Sequence, residues 1–568
     1  MSPWAPEPPW HQLHSHHDVT AYYHRQYDEC VRAGTCTPFT YPFASLGTLV
    51  AILYLLIPHR DRPWLRRARF LVWAWMAAFS TYTIAGTKAR GMAPAFGVGV
   101  VSSWGVIWVG TILVVHDAQT EFKRIERRSR VLENEREGDE TGSAQANGSH
   151  DHVLDSTADE TAENIGNGHS RELKGTISGQ QKEYFWQSYP THDFRQRLNW
   201  VLDIFSNFRG VGWNWRPASI PPPPSFIQAQ LTAPFIDYKP HPSPSHISHH
   251  HHHHRSHNPR HPPTPVLTRR TLLLQNLKLF LTGYLIIDAL KTLMNHDPYF
   301  WGHLSSPAPS YLPTLPPILL RTYRLALTQL TIQYTLQTLF SLSPLLFCGL
   351  LSSSTGTRAS QPWMYPPTFG PYSLVLDRGV AGWWGQWWHQ TFRFAFDAPG
   401  RKLVALWGWQ QRSRKARFVR VVVAFALSGV LHAAGSFTAA GRTRPVGRAM
   451  LFFVLQPVGL GVEATESRRG GHVHVHVHVP RAWKRVCRWL YVHAWFYLTG
   501  PLLCDDFATS GVWLFEPVPV SLFRGLLGWG VEGDGVWCWG RGRWNGDAGR
   551  GMVWWHSGER WWMSGFAW

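Results

Sequence analysis

The residues best placed to do chemistry are two histidines in strongly apolar surroundings. His432 closes Ser428-Gly429-Val430-Leu431-His432, after an apolar run from Phe418 to Leu427 broken only by Arg420. His389 ends Arg378-Gly379-Val380-Ala381-Gly382-Trp383-Trp384-Gly385-Gln386-Trp387-Trp388-His389-Gln390, in which Trp383, Trp384, Trp387 and Trp388 surround a His-Gln pair. An ionisable side chain inside a hydrophobic segment is costly, so its presence is a functional hypothesis that needs a partner. His389 is the partner for His432. Imidazole titrates near neutrality, so it can take a proton from a hydroxyl and give it back. The competing reading is that His432 is a hydrogen-bonded helix-packing histidine.

The elements that must hold this pair are read from composition and hydropathy. A mean hydropathy of −0.20 averages long apolar runs with very polar connections. Trp 32, Phe 30 and Tyr 18 are high counts, and clustered aromatic rings suit membrane interfaces. A formal charge of +19 would fit nucleic-acid binding, but the basic residues flank apolar runs, as the positive-inside rule requires. No nucleic-acid partner is expected. The six cysteines lack metal-ligand spacing, so no metal site is expected from them, and a local bridge is open to Cys30 and Cys36.

Taken in order, residues 1–40 form a segment read as lumenal, and 41–115 a first transmembrane group with apolar runs at Tyr41–Ile57, Phe70–Gly86 and Ala95–Val115. Arg60 to Arg69 make the first connection cationic, hence cytosolic. Residues 116–182 are polar and Gly/Ser/Asn-rich beyond Val115 and are expected to be a disordered cytosolic insert; the sequon at Asn147 then faces the wrong compartment. Residues 183–216 read as an interfacial segment ending in Trp213-Asn214-Trp215, and 217–270 as a Pro/His-rich linker carrying the His249–His254 row. Residues 271–530 form the transmembrane core, with further runs at Leu272–Met294, Ile318–Leu351, Val419–Ala434, Met450–Val462 and Trp489–Leu503. The Trp-His-Gln stretch is too polar to span and is drawn as re-entrant or interfacial. The alternating histidines of 472–478 read as a loop repeat, and 531–568 as a low-complexity Gly/Trp/Arg tail. The fold class is all-α: a multi-pass transmembrane helical bundle of about eight spans at ~20 residues per crossing.

Arg209-Gly210-Val211-Gly212-Trp213-Asn214-Trp215, Trp384-Gly385-Gln386-Trp387-Trp388-His389-Gln390 and Ser428-Gly429-Val430-Leu431-His432 occur in an order that resembles the fungal wax-synthase-domain acyltransferases. These are relatives of the membrane-bound O-acyltransferases and include trichothecene and meroterpenoid O-acetyltransferases. The resemblance implies a multi-pass membrane enzyme, in the endoplasmic reticulum, moving an acetyl group from acyl-CoA to a hydroxyl of a lipophilic terpenoid or other secondary metabolite. It implies His432 and His389 as catalytic residues, no bound cofactor, and acyl-CoA, an alcohol and the bilayer as partners. Gln390, Trp388, Arg393 and Asn214 are the expected binding residues, with Arg393 and Lys402 facing CoA phosphates. The chain departs from the family where Ala433-Ala434-Gly435 follow His432 in place of a polar residue.

Three other readings compete. A long-chain wax-ester synthase differs only in acyl length. A transporter would show paired repeats across its halves, and none is seen. A haem or metal oxidoreductase would need a second intramembrane ligand, for which His493 is the candidate. His24-Arg25-Gln26-Tyr27-Asp28 matches the letters of a soluble acyltransferase motif but lies in a polar segment, and that reading is rejected.

Overall fold

The computed structural model describes residues 6–127, 184–231, 267–352, 358–472, 480–539, 554–558 and 564–567. The expectations for 128–182, Asn147, the His249–His254 row, residues 473–479 and Trp561–Trp562 lie outside these.

The chain is mostly helical. Helix α1 (His16–Arg32) opens with a reciprocal cap, Ser15 accepting from the Asp18 N–H while Asp18 accepts from the Ser15 N–H. Next come α2 (Leu46–Leu56), α3 (Arg69–Gly86) and α4 (Met92–Val109), the last prolonged by a wide π turn, Gly110–Val115. A short amphipathic helix, α5 (Phe194–Ser206), precedes two long ones, α6 (Arg269–Asn295) and α7 (Pro317–Pro344). The remaining helices are α8 (Ser373–Gly382), α9 (Arg393–Leu406), α10 (Arg414–Thr438), α11 (Leu451–His472) and α12 (Arg481–Ser510).

Among the described residues, three helical stretches are long and apolar enough to cross a membrane: Met92–Val115, Arg414–Thr438 and Pro445–Thr465. The outer faces of other helices are also apolar. Leu71 on α3, Leu281 on α6, Leu339 on α7 and Leu498 on α12 are all more than half exposed. Large apolar side chains on the outside of several helices would be unfavourable against water and are at home against lipid.

Two of these helices touch very closely. A Cβ on Gly99 of α4 would lie 1.9 Å from the Ala434 carbonyl oxygen of α10, and one on Gly435 would meet Val100 at 2.7 Å. Thr438 locks the crossing: its Oγ1 accepts from the Gly99 N–H (3.0 Å) and donates to Ala95 O (2.7 Å). Small residues permit such an approach, and it accounts for Ala434 and Gly435 where a polar residue is expected after His432.

The strands are short. Strands β1 (Thr37–Pro38) and β3 (Thr87–Lys88) pair in parallel. β2 (Thr40–Tyr41) pairs with β7 (Gly565–Ala567), which also takes β6 (Trp554–His556). β4 (Arg124–Arg127) pairs antiparallel with β5 (Tyr184–Gln187). The β4 strand corrects the expectation that the disordered insert starts at 116. Ile125 is buried opposite Trp186 and Arg124 is paired with Asp203 (3.4 Å), so these residues are fixed by partners beyond the insert.

The tail is corrected likewise. Asp534 lies against α1, Trp554 packs edge-on to Tyr27, and β7 pairs beside Tyr41, so its described parts fold onto the N-terminal segment. Cys30 and Cys36 form a disulfide. Trp213 and Trp215 are both buried, in an aromatic cluster with Trp108, Trp200 and Phe394 to which three separate segments contribute.

Candidate active site

His432 and His389 line one cavity of about 1580 Å³ between α7, α10, α11, α12 and the α8–α9 region. Both rings are half-buried, with their accessible surface turned to the cavity. His432 reaches it from α10, where Nδ1 donates to the Ser428 carbonyl one turn back (2.8 Å). That bond leaves the lone pair on Nε2. The ring stacks on Phe453 of α11 at 4.3 Å, which fixes its plane. The packing reading and the chemical one are therefore joined: the intrahelical bond is present, and it orients the other nitrogen.

His389 arrives differently. Helix α8 is broken at Gly379, whose φ of +59° lies in the left-handed region. Glu463 of α11 fills the space a Cβ would need there and accepts from the Ala381 N–H (3.0 Å). The chain then winds through a π turn, Trp383–Trp387, and leaves it extended at Trp388. Such wide turns displace side chains from the regular helical faces and recur at functional sites. His389 sits edge-on to Phe392 and beside Trp388, and no hydrogen-bond partner for its Nδ1 is found among the described residues. It lines the same cavity as His432.

The expected binding residues divide. Trp388 and Arg393 line the cavity beside the histidines. Gln390 lines it too, but its amide protons go to Trp384 O (3.1 Å) and Trp388 O (2.6 Å), while its oxygen accepts from Ser219 (3.0 Å) and Arg393 (3.3 Å). A side chain so engaged holds the loop at the cavity wall. Asn214 is absent from the cavity wall. Its amide accepts from the Lys123 N–H (3.0 Å) and donates to Glu121 O (2.8 Å), pinning the Trp-Asn-Trp turn to the segment before β4.

Arg393 hangs under the π turn, with Nη1 3.4 Å from the carbonyls of Trp384 and Gly385. Below it, Asp397 accepts from Arg420 (2.8 and 2.9 Å) and Arg401 (2.5 Å). Burial alone would raise the Asp397 carboxyl, but Arg401, Arg420 and Arg393 outweigh it and hold it below the usual carboxylate range. Several guanidiniums around one carboxylate leave this end of the cavity positive. Arg209, from the first motif, donates to the carbonyls of Pro366 and Pro367 in the approach to α8.

Two further residues stand out only in the structure. Gln456 is fully buried on α11 and accepts from the indoles of both Trp384 (3.2 Å) and Trp495 (3.0 Å), tying the tryptophan floor to α11 and α12. Gln329 of α7 faces the cavity, with a buried Nε2 for which no partner is found among the described residues. Gln329 and Gln333 stand four apart within an apolar helix, a one-face polar signal of the kind that drew attention to His432.

Residues 365–455 match the model of the membrane bound O-acyl transferase family, and this stretch contains both His389 and His432. The site therefore lies in the stretch of the chain that is similar to this family. The chain is 28% identical over 270 residues to the acetyltransferase ple2 of Rhodocybe pseudopiperita, covering 47% of this chain and 56% of that protein. It is 25% identical over 284 residues to the O-mevalon transferase macI of Penicillium terrestre, covering 47% and 53%. Over 146 residues it is 32% identical to the acetyltransferase fsoF of Humicola fuscoatra, covering 24% and 33%. The chain thus spans about half the length of the first two relatives. No solved structure matches it. Within the matched stretch the π turn, the tryptophan floor and α10 bring two imidazoles to one cavity.

Proposed function

We propose that this chain is a multi-pass membrane O-acyltransferase that moves an acetyl group from acetyl-CoA to a hydroxyl of a lipophilic secondary metabolite of terpenoid type. The observation that carries the reading is the convergence of His432 and His389 on one largely apolar cavity, with His432 Nε2 left as the acceptor nitrogen. In the reaction the acceptor hydroxyl gives its proton to His432 Nε2 as its oxygen bonds to the thioester carbonyl carbon. His389 donates a hydrogen bond to the oxyanion that forms. The C–S bond then breaks, and the CoA thiolate takes the proton from His432. The basic end at Arg393, Arg401 and Arg420 faces the CoA phosphates. A cavity of about 1580 Å³ far exceeds what an acetyl group needs and accommodates a large apolar acceptor.

The topology follows the same reading. Eight crossings, at 43–56, 69–86, 92–115, 269–295, 317–350, 414–438, 445–465 and 481–510, place both termini in the lumen of the endoplasmic reticulum. The basic connections at Arg60–Arg69 and Arg412–Arg417 then face the cytosol, with α8 and α9 re-entrant between them. The Cys30–Cys36 disulfide supports a lumenal N-terminus, because disulfides persist in oxidising compartments.

The test uses microsomes expressing the parent or His432→Ala, with labelled acetyl-CoA or palmitoyl-CoA and a panel of terpenoid and fatty alcohols. Acetyl ester from the parent, reduced by ~10²–10⁴ in the variant, is expected for loss of a general base. Equal ester from both would remove His432 from the mechanism. A preference for palmitoyl-CoA would make the enzyme a wax-ester synthase.

A further inference from the structure

We propose that His16, His17 and Asp534, with Asn295 as a fourth ligand, form a Zn²⁺ site that fastens the C-terminal segment to α1. The site lies far in sequence from the acyltransferase cavity and does not depend on its assignment. His16 and His17 are the first two residues of α1. Consecutive residues on a helix diverge by about 100° and do not face one another. Yet both imidazoles turn the same way: His16 Nε2 stands 3.4 Å and His17 Nε2 3.0 Å from a single oxygen, Asp534 Oδ1. The Asn295 side-chain amide lies 3.2 Å from His16 Nε2, and amide oxygen and nitrogen are interchangeable by a flip.

These separations match a coordination shell. Four ligands about 2.0 Å from a tetrahedral Zn²⁺ stand roughly 3.3 Å from one another. The two imidazole nitrogens and the carboxylate oxygen all lie within 4.8 Å of one another. Asp534 is oriented for the task, because its other oxygen accepts from the Val531 N–H (3.2 Å). The nearby cations are engaged elsewhere: Arg524 with Glu516 (2.6 and 2.9 Å), and Lys291 with the Trp513 carbonyl. Two nitrogens and a carboxylate favour Zn²⁺ over the oxygen-seeking Ca²⁺ and Mg²⁺. One ion there would join residues more than five hundred positions apart.

The experiment uses the full chain in detergent, with the histidines of 249–254 and 472–478 changed to serine in every protein compared, so that those tracts contribute no metal. After passage over a chelating resin, the parent should retain about one Zn²⁺ per chain by mass spectrometry, and His17→Ala and Asp534→Asn less than about a tenth. Adding EDTA should lower the melting temperature of the parent by several degrees and leave both variants unmoved. His17 is half-exposed, so its truncation spares the fold. Zinc content in the parent no higher than in His17→Ala, or melting of the parent indifferent to Zn²⁺ and EDTA, would overturn the site and leave a hydrogen-bonded His–Asp pair.

Discussion

Replacing Gly99 by alanine adds one methyl group, at the crossing of α4 and α10, and should disable the cavity chemistry. The new Cβ would lie 1.9 Å from the oxygen and 2.2 Å from the carbon of the Ala434 carbonyl. Both atoms are backbone, so no side chain can rotate to relieve the clash. An ordinary Cβ contact begins at 3.4 Å, so α10 must retreat from α4 by roughly 1.5 Å, at a cost of about 1–3 kcal/mol for an overpacked interface. That retreat stretches the two Thr438 bonds and carries His432, two residues from Ala434. His389 stays behind, because its neighbour Phe392 packs on Trp104 of α4 at 4.4 Å. A misplacement of about 1 Å between reacting groups costs on the order of 10² in rate. Microsomal acetyl transfer by Gly99→Ala should therefore lose about that factor in kcat, with the protein still inserted and monodisperse. Parent-level kcat in a well-folded Gly99→Ala would refute the view that the Gly99–Gly435 crossing sets the histidine geometry.

Other outcomes follow from the same contacts. Gln456→Leu strips the indoles of Trp384 and Trp495 of a shared acceptor; a destabilisation of about 2 kcal/mol, with a roughly tenfold loss in kcat, is expected in melting and turnover assays. Gln390→Ala should lower turnover without weakening acyl-CoA binding, since Gln390 holds the loop, and a selective rise in KM for the donor would reassign it to ligand contact. Asp377, held down to about 2 first by its hydrogen bond to Arg485, ties α8 to α12 on an exposed surface, so Asp377→Asn should cost little and its small effect should vanish in high salt. His24 is pushed down to about 4 by burial and then by the Arg90 charge. Its folded value lies below the unfolded one of about 6.5, so the stability it contributes is complete above that pH and is lost as pH falls toward 4. The melting temperature of the parent should drop between pH 7 and pH 4.5 by more than that of His24→Asn.

What the sequence determined by itself is local. Hydropathy runs and flanking charges give the helices, because each helix closes its own backbone hydrogen bonds and carries its apolar face within a single stretch. The Ser428–His432 spacing is of the same kind, since residues four apart on a helix meet without help from elsewhere. The clustering of tryptophans before His389 likewise marks the element, although only the structure shows the π turn that aims it. Tertiary structure decided everything that depends on partners distant in the chain. That the amides of Gln390 and Asn214 are engaged by Ser219, Lys123 and the carbonyls of Trp384, Trp388 and Glu121 is visible only in the fold. The residues after His432 look like a departure until Gly99 is placed against Ala434. The tail after 530 looks unstructured because its partners are His16, His17, Tyr27 and Tyr41, at the other end of the chain. A side chain's chemical type is written in one position; whether it is free to act depends on which groups the fold brings to it.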